Sequence, residues 1–153
     1  MTYSNNDLMR FLDAQNKLYL TAFSEIKKGK KETHWMWFIF PQIKGLGSSD
    51  HANYYAIADL KEATEFLGHP ILGKHLIEIS ELLLTFKRKS ADGILGDLDA
   101  RKLRSSMTLF SLVENTNPVF KEILEAFFSG EEDPLTLSII NSTIPTSTET
   151  LTV

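Results

Sequence analysis

The sequence predicts an all-α domain of about six or seven helices. Apolar residues recur at three- and four-residue steps over most of the chain, which is the spacing of one helix face. Proline and glycine lie where these stretches begin and end, as they do at helix termini. Strand signals are nearly absent, because no alternating apolar run is bounded by turn residues. The predicted fold is therefore a single compact all-α domain, with a small extended element near residues 35–44 as the one alternative left open.

Length, composition and charge limit the classes of protein to which the chain can belong. It has 153 residues, 42% of them apolar, and its 16 basic and 20 acidic side chains give a formal charge of −4. These values predict one domain over residues 5–140, followed by a disordered tail over residues 141–153. The acidic balance argues against a nucleic-acid partner, no apolar run approaches the ~20 residues of a membrane span, and the absence of cysteine excludes thiolate chemistry. We therefore expect a soluble cytoplasmic protein that contacts neither nucleic acid nor membrane.

The N-terminal part of the chain combines a long amphipathic helix with a segment that periodicity does not resolve. The helix is predicted over residues 5–28, and Gly29 is placed to end it. Residues 34–41 then form an almost wholly apolar run that ends at Pro41, and so short a run fits a buried strand as well as a buried helix. Residues 45–49 contain two glycines and two serines, which predicts a loop.

The rest of the chain is predicted to be helical, with breaks marked by glycine and proline. An apolar face over residues 49–67 predicts one helix, which Gly68-His69-Pro70 ends. Residues 87–98 predict a loop with one helical turn. Further helices are predicted to begin at Pro70, at Asp97 or Leu98, at Asn117-Pro118 and at Asp133-Pro134.

Both tryptophans of the chain lie in the apolar run, next to His34. One interpretation places Trp35 and Trp37 in the core, because large aromatic side chains are usually buried. In the other, one indole lines a pocket and stacks on a flat ligand such as a nucleobase. The loop with Gly45 and Gly47 favours this second interpretation, since backbone amides near glycine bind anions well. The sequence leaves both interpretations open.

A second polar cluster lies between Asp99 and Ser106. On a helix, Asp99, Lys102, Ser105 and Ser106 fall on adjacent turns, so three or four of them can share one face. A carboxylate, an ammonium group and two hydroxyls that meet there suit a ligand containing phosphate or sugar. The pattern is equally typical of a solvated face on which Asp99 and Lys102 pair at the surface.

Several other patterns of catalysis and metal binding are missing. No two of the four histidines are spaced i, i+4, and neither a Gly-x-Ser-x-Gly motif nor a Walker loop occurs. We therefore predict no metal site and no cofactor. Basic residues cluster at Lys27–Lys31, Lys87–Lys89 and Arg101–Arg104. They can form a local patch that attracts anions, although in a chain of net negative charge solvated faces are the favoured interpretation.

The motifs together resemble a bacterial family of unknown function. The run from His34 to Gln42, followed by Gly45-Leu46-Gly47, is similar to the hallmark of the domain family numbered eighteen-ten, some of whose members were once labelled calpastatin-like. Asp99 and the segment from Ser105 to Phe110 match as well, and the resemblance covers roughly residues 7–137. It implies an all-helical domain and brings no established reaction.

A weaker resemblance is to the superfamily that cleaves N-glycosidic bonds in NAD- and ADP-ribose-like molecules. Asp99, Lys102, Met107 and the predicted helix around Phe120–Leu124 occur in an order similar to that of the superfamily. The tryptophan of the corresponding helix is missing here, and both tryptophans lie far upstream. The resemblance implies a nucleotide-like ligand.

Two hypotheses of function follow. The first is an enzyme or binder for a nucleotide- or ADP-ribose-like small molecule, with N-glycosidic cleavage as its reaction. Asp99 is its candidate catalytic carboxylate, with Glu62 in reserve. Its candidate ligand-binding residues are His34, Trp35, Trp37, Gln42, Gly45, Gly47, Lys102, Ser105 and Ser106. The second is a non-enzymatic protein-interaction module, which predicts an exposed aromatic patch in place of a lined pocket.

Overall fold

The computed structural model describes residues 3–143, with side chains over residues 8–142. Within that range the chain is helical, and its sole β pairing is one isolated bridge, which confirms the all-α fold class. Nine helices occur there, namely α1 (Tyr3–Lys27), α2 (Met36–Ile39), α3 (Asp50–Tyr54), α4 (Leu60–Gly68), α5 (Leu72–Leu84), α6 (Ala91–Leu95), α7 (Asp97–Ser111), α8 (Val119–Phe128) and α9 (Pro134–Thr143). Because α2, α3 and α6 have only four or five residues each, the number of longer helices agrees with the predicted six or seven.

The core is organised around α7, which packs against α8, α6, α9, α4 and α2. A row of aromatic rings connects the long helices. The ring of Phe66 in α4 lies 5.0 Å from that of Phe11 in α1 and 5.4 Å from that of Phe110 in α7, centroid to centroid. Phe110 lies 5.8 Å from Phe120 in α8. All four side chains are fully buried, and burial of each contributes about 1.5–3 kcal/mol to folding.

The apolar run that periodicity left unassigned divides into two conformations. Its central residues, Met36–Ile39, form the single turn of α2, and the chain then continues to one parallel bridge between Ile43 and Ile57. The backbone N–H of Ile57 donates to the carbonyl of Gln42, and that of Lys44 donates to the carbonyl of Ile57, both over 2.8 Å. The extended element expected near residues 35–44 is thus reduced to one bridge.

The single helix expected over residues 49–67 is wrong, since two helices occupy this range. Ile57 uses its backbone groups in the bridge and cannot use them in a helix. A new start follows, where Asp59 Oδ1 accepts from the N–H of Glu62 over 2.9 Å and Glu62 Oε1 accepts from the N–H of Ala58 over 2.8 Å. Such reciprocal caps stabilise a helix N-terminus, so α4 begins afresh at Leu60.

Glycine and proline mark other helix ends as the sequence predicts. Gly29 follows α1 with φ of +81°, a left-handed conformation that favours glycine. Helix α9 begins at Pro134 and runs to Thr143, so it enters the predicted tail, whose remainder from residue 144 lies outside the described residues. None of the described helices is long and apolar enough to cross a bilayer.

Candidate functional site

A cavity of about 390 Å³ lies between the aromatic segment and the start of α7. Trp37 reaches it from α2, Asp99 and Lys102 reach it from the first two turns of α7, and His34 borders it from the loop before α2. Gly96, with φ of +88°, joins α6 to α7 without an intervening loop and so brings this end of α7 to the cavity. The structure therefore brings together five of the residues that the sequence selected from two separate motifs, namely His34, Trp35, Trp37, Asp99 and Lys102.

Asp99 lies between two lysines. Its Oδ2 is 2.8 Å from Nζ of Lys31, and its Oδ1 is 3.3 Å from Nζ of Lys102. The Lys31 side chain is only 7% exposed, and its backbone N–H donates to the end of α6 over 2.7 Å, which fixes its position. Asp97, another carboxylate at this cavity, pairs with Arg101 at 3.1 Å. Two ammonium groups thus share one carboxylate, and this end of the cavity attracts anions.

The two tryptophans have different environments. Trp35 is fully buried, and its indole N–H donates to Glu25 Oε1 over 2.8 Å. It also borders the 390 Å³ cavity, where Lys31 Nζ lies over its ring at 5.1 Å, but its fully buried side chain supports the cavity wall, and its stacking on a ligand stays a prediction. Trp37 is only half-buried. The His51 ring is stacked on its indole at 4.7 Å between centroids, and Lys102 Nζ lies over the indole at 5.2 Å.

Glu25 holds the turn between α1 and α2 in place. Its carboxylate accepts from the backbone N–H groups of Glu32 and Thr33 over 2.7 and 2.9 Å, from the Thr33 hydroxyl over 2.6 Å and from the Trp35 indole. Burial by itself raises the pKa of this carboxyl, but the four donors outweigh it and lower the pKa to about 2. The turn that positions Lys31 and Trp37 is therefore built on one ionised, buried carboxylate.

A second cavity, of about 520 Å³, shares His34 and Trp37 with the first. Its wall is largely aromatic and aliphatic, and its polar lining comes from Asp13, Lys17, His34, His51 and Tyr55. Burial, followed by the charges of Tyr54 and Asp13, raises the pKa of Tyr55, so its phenol stays protonated. We call these two adjoining cavities the indole groove. Each has the size of a ligand pocket.

A third, smaller cavity of about 200 Å³ is lined by Gln15 and His75, and no local sequence pattern predicts it. The amide nitrogen of Gln15 donates to the carbonyl of Phe38 over 2.8 Å, so its oxygen, 2.8 Å from His75 Nδ1, is assigned as the acceptor of a proton on that nitrogen. The imidazole stacks on Tyr19 at 3.7 Å, and burial lowers its pKa. These residues are far apart along the chain, and no local motif could have grouped them.

The two serines of the predicted cluster do not line the indole groove. Ser105 Oγ donates to Asp133 Oδ2 over 3.0 Å and lies 3.2 Å from the carbonyl of Arg101, so it connects α7 to the start of α9. Ser106 is fully buried, and its hydroxyl has no hydrogen-bond partner among the described residues. Ser105 and Ser106 therefore do not join Asp99 and Lys102 at the groove, because Ser105 contacts the start of α9 and Ser106 lies about two turns, roughly 10 Å, further along α7 than Asp99.

Glu62 also lies apart from the groove. It is buried, its carboxylate forms an ion pair with Arg10 at 3.3 Å, and it caps α4 through the N–H of Ala58. These contacts use both of its oxygens, one of them twice. Glu62 therefore has a structural role in joining α1 to α4.

The glycine loop lies beside α3 and does not line the groove. Gly45 has φ of +106°, and Gly47 is so close to α3 that a Cβ there would lie 2.6 Å from Cβ of Ala52. The Ser49 hydroxyl already accepts from the N–H of Ala52, and the carbonyl of Gln42 belongs to the bridge. The loop therefore serves close packing, and in α3 the N–H groups of Ala52 and Asn53 are already bound by Ser49.

Two further features of the described residues favour the indole groove over other sites. No group of three or more His, Cys, Asp or Glu side chains there is arranged to hold a metal ion. A cavity of about 540 Å³ lies between the end of α4 and the α7–α8 connection, but its lining contains no lysine, arginine or histidine. The indole groove is therefore the better candidate for a charged or aromatic ligand.

Comparison with known proteins identifies the family. A family model described as "Protein of unknown function (DUF1810)" matches residues 5–140. The crystal structure of the conserved hypothetical protein Rv1873 from Mycobacterium tuberculosis is 41% identical, with a TM-score of 0.86, over 88% of this chain and 96% of that chain. No curated protein matches. Neither of these matches is to an N-glycosidase, so that similarity stays a prediction. The chain belongs to the DUF1810 family of proteins of unknown function.

Proposed function

We propose that the protein binds a small molecule that combines a flat heteroaromatic ring with negative charge, the chemistry of nucleotides and ADP-ribose, in the indole groove. One observation supports this above the others. The half-buried indole of Trp37 contacts the imidazole ring of His51. The ammonium group of Lys102, which forms an ion pair with Asp99, lies over the same indole. The indole groove would thus recognise both the ring and the negative charge of the ligand.

Ring recognition rests on Trp37 and the cavity beside it. The His51 imidazole, stacked at 4.7 Å and inclined by 25°, occupies the place that a nucleobase would take against the indole. His51 is exposed and belongs to the five-residue helix α3, so a ligand ring can displace it at little cost. Tyr55 and Phe38 add aromatic surface to the same cavity.

Anion recognition rests on Lys31 and Lys102. Both ammonium groups are oriented by Asp99, which reduces the entropy that they lose when they bind a ligand. The Lys102 side chain is 31% exposed and accessible from solvent, whereas Lys31 is buried behind it. A phosphate at this end of the cavity would contact Lys102 first. Its negative charge would neutralise the positive charge that remains because two ammonium groups share one carboxylate.

Cleavage of an N-glycosidic bond is the further step of the proposal, and Asp99 is its candidate residue. The C–N bond would break with its electron pair on the base, and the oxocarbenium ion left on the ribose would be stabilised by the Asp99 carboxylate, which is 20% exposed at the cavity wall. A water molecule would then add to that carbon, and its proton would pass to the departing base. The expected result is that Asp99→Asn releases no free base from a bound nucleotide while the wild type does. Chromatography of the reaction mixture measures this, and release at an equal rate by both proteins would contradict the role of Asp99.

The arrangement of the aromatic segment argues against the interaction-module hypothesis. That hypothesis requires an exposed aromatic patch, but Trp35, Phe38 and Phe40 are each at most 5% exposed. Among the aromatic residues of the run, Trp37 alone is half-buried, and it lines a cavity. A ligand pocket explains this pattern better than a docking surface.

A thermal-shift panel tests binding directly. The panel contains AMP, ADP-ribose, NAD, adenosine, ribose 5-phosphate and inorganic phosphate. A ligand present at 100 times its Kd stabilises the folded state by about 2.7 kcal/mol, which raises the Tm of a domain of this size by about 5–11 °C. We expect the largest shift from a ligand that has both the ring and the phosphate.

The matched variants are Lys102→Gln and Lys121→Gln, which remove the same charge from the groove and from an exposed position on α8. We expect Lys102→Gln to lose most of the ligand-induced shift and Lys121→Gln to keep it. Each variant is compared with its own ligand-free Tm, so a change in stability is not mistaken for a change in binding. An absence of any shift across the panel, or equal shifts in the two variants, would overturn the proposal.

A further inference from the structure

Six exposed basic side chains at the end of α1 and in the loops after α1 and α5 have no ion-pair partner among the described residues. We call them the basic surface, and they are Lys27, Lys28, Lys30, Lys87, Arg88 and Lys89. Lys27 ends α1, Lys28 and Lys30 follow it, and the other three follow α5, so more than 50 residues separate the two groups along the chain. Only the fold makes them one feature.

The two loops touch at Gly29. A Cβ at this residue would lie 2.9 Å from Nζ of Lys89 and 3.3 Å from the ring of Phe86, so the α5–α6 loop lies directly against the end of α1. Glu32 in the loop after α1 and Asp92 in the first turn of α6 form no ion pair with the six cations. In a chain of net charge −4, a cluster of unneutralised cations repels itself, and the packing of the fold does not require it.

The basic surface is continuous with the indole groove through Lys31. This residue follows Lys30 directly, its side chain lines the groove beside Asp99, and its backbone N–H binds α6, the helix that follows Lys89. A strand whose phosphate contacts the accessible Lys102 in the groove would therefore reach the basic surface along the segment that precedes Lys31.

We propose that the ligand of the indole groove is one nucleotide of a single-stranded nucleic acid whose phosphates run across the basic surface. This rests on the proposed function, since the groove supplies the site for the base and the loops supply the sites for the adjoining phosphates. Single strands are favoured over duplexes because only an unstacked base can enter the groove and contact Trp37. The expectation from net charge, that nucleic acid is no partner, is thereby revised by the local charge.

Two other polyanions fit the described surface less well. An acidic membrane would favour exposed apolar residues beside the cations, but the large exposed apolar residues of the described chain are Met9, Leu20, Tyr54, Ile71, Leu98 and Leu135, none of them in these loops. An acidic peptide would meet the cations but would bring no flat heteroaromatic ring to the groove. A nucleic-acid strand supplies both groups.

Fluorescence anisotropy with labelled 12-mers of RNA and DNA tests the inference. The measurement is the slope of log Kd against log salt concentration for the wild type and for the triple variant Lys87→Gln, Arg88→Gln, Lys89→Gln. Each phosphate contact on a single strand contributes about 0.7 to this slope, so the triple variant should lose about 2. The RNA and DNA arms decide which strand binds more tightly.

The matched control is Lys44→Gln, Lys61→Gln, Lys121→Gln, which removes three exposed lysines that lie elsewhere. This control should keep the wild-type slope, and AMP should bind the loop variant as tightly as the wild type. Equal slopes in the two triple variants, or a 12-mer that binds no more tightly than AMP, would overturn the inference and leave the proposed function standing. A 12-mer whose binding depends on the loops but is unchanged in Trp37→Ala would overturn the shared site and with it the inference, whereas the proposed function is tested separately by the binding of AMP. Binding to phosphatidylserine vesicles without binding to either 12-mer would also overturn the inference.

Discussion

Trp35 and Trp37 are two residues apart, yet they belong to different parts of the molecule. Trp35 is fully buried, and its indole N–H is bound by Glu25, which also orders the preceding turn. Trp37 is half-buried in the indole groove, beside His51 and Lys102. One aromatic run can therefore supply both a buried residue that supports a site and a neighbouring residue that lines it.

The same division recurs along α7. Its first two turns place Asp99 and Lys102 at the groove, whereas the following turn places Ser105 and Ser106 in the interior and at the contact with α9. In both segments the residues nearest in sequence have separate roles, structural and ligand-facing. Substitutions at neighbouring positions should therefore have opposite effects on stability and binding.

The largest expected effect is the loss of stability in Trp35→Ala. Removal of a fully buried tryptophan leaves a cavity and typically costs about 3–5 kcal/mol. Trp37→Ala should cost less than about 2 kcal/mol, because the side chain is only half-buried, and it should abolish nucleotide binding. Urea denaturation of the two variants measures the contrast, and equal losses of stability would contradict the structural role of Trp35.

A smaller effect is expected from Glu25→Gln, and it depends on pH. Because the pKa of Glu25 is about 2 in the folded protein and near its ordinary value of 4.5 when unfolded, this carboxylate stabilises the fold fully above about pH 4.5. The stabilisation is lost as pH falls toward 2, and it is on the order of 3 kcal/mol. Unfolding free energies measured between pH 7 and pH 3 should therefore fall less steeply in Glu25→Gln than in the wild type. Parallel curves would show that Glu25 is not the buried anion described above.

Ser105→Ala tests whether the third turn of α7 is structural. It removes the hydrogen bond to Asp133 Oδ2 and should destabilise the protein by about 1 kcal/mol. Nucleotide binding should be unchanged, since Ser105 does not line the groove. A weaker affinity without a loss of stability, measured by calorimetry, would return Ser105 to the ligand site.

The smallest effect is expected from Ser106→Ala. The hydroxyl is buried without a partner among the described residues, so its removal leaves no other group unsatisfied. We expect the free energy of unfolding to stay within about 1 kcal/mol of the wild type, with any change toward higher stability. A large loss of stability in the same denaturation experiment would indicate a hydrogen bond that this structure does not contain.

Much of the fold could be predicted from local patterns. Gly29 ends α1, Pro134 begins α9, and the apolar spacing of α5 and α8 agrees with their buried faces. The break between α3 and α4 could not be predicted, because it depends on the bridge between Ile57 and Ile43, which lies 14 residues earlier in the chain. A pairing of this kind is tertiary and has no local signal.

The site was predictable only in part. Asp99, Lys102, Trp37 and His34 were selected from two motifs, and the structure places them around one cavity. The sequence places Lys31 in a basic cluster for which a solvated face is the favoured interpretation, since no local pattern indicates that its ammonium group pairs with Asp99. His51 and His75 were missed for the same reason, because their partners come from other helices.

The central claim is that Trp37 is the contact surface for a nucleotide. The chain contains two tryptophans, so when indole is excited selectively in Trp37→Phe, the fluorescence comes from buried Trp35 alone. Titration with AMP should quench the fluorescence of the wild type and leave that of Trp37→Phe unchanged. Equal quenching in the two proteins, or none in the wild type at saturating nucleotide, would contradict the claim.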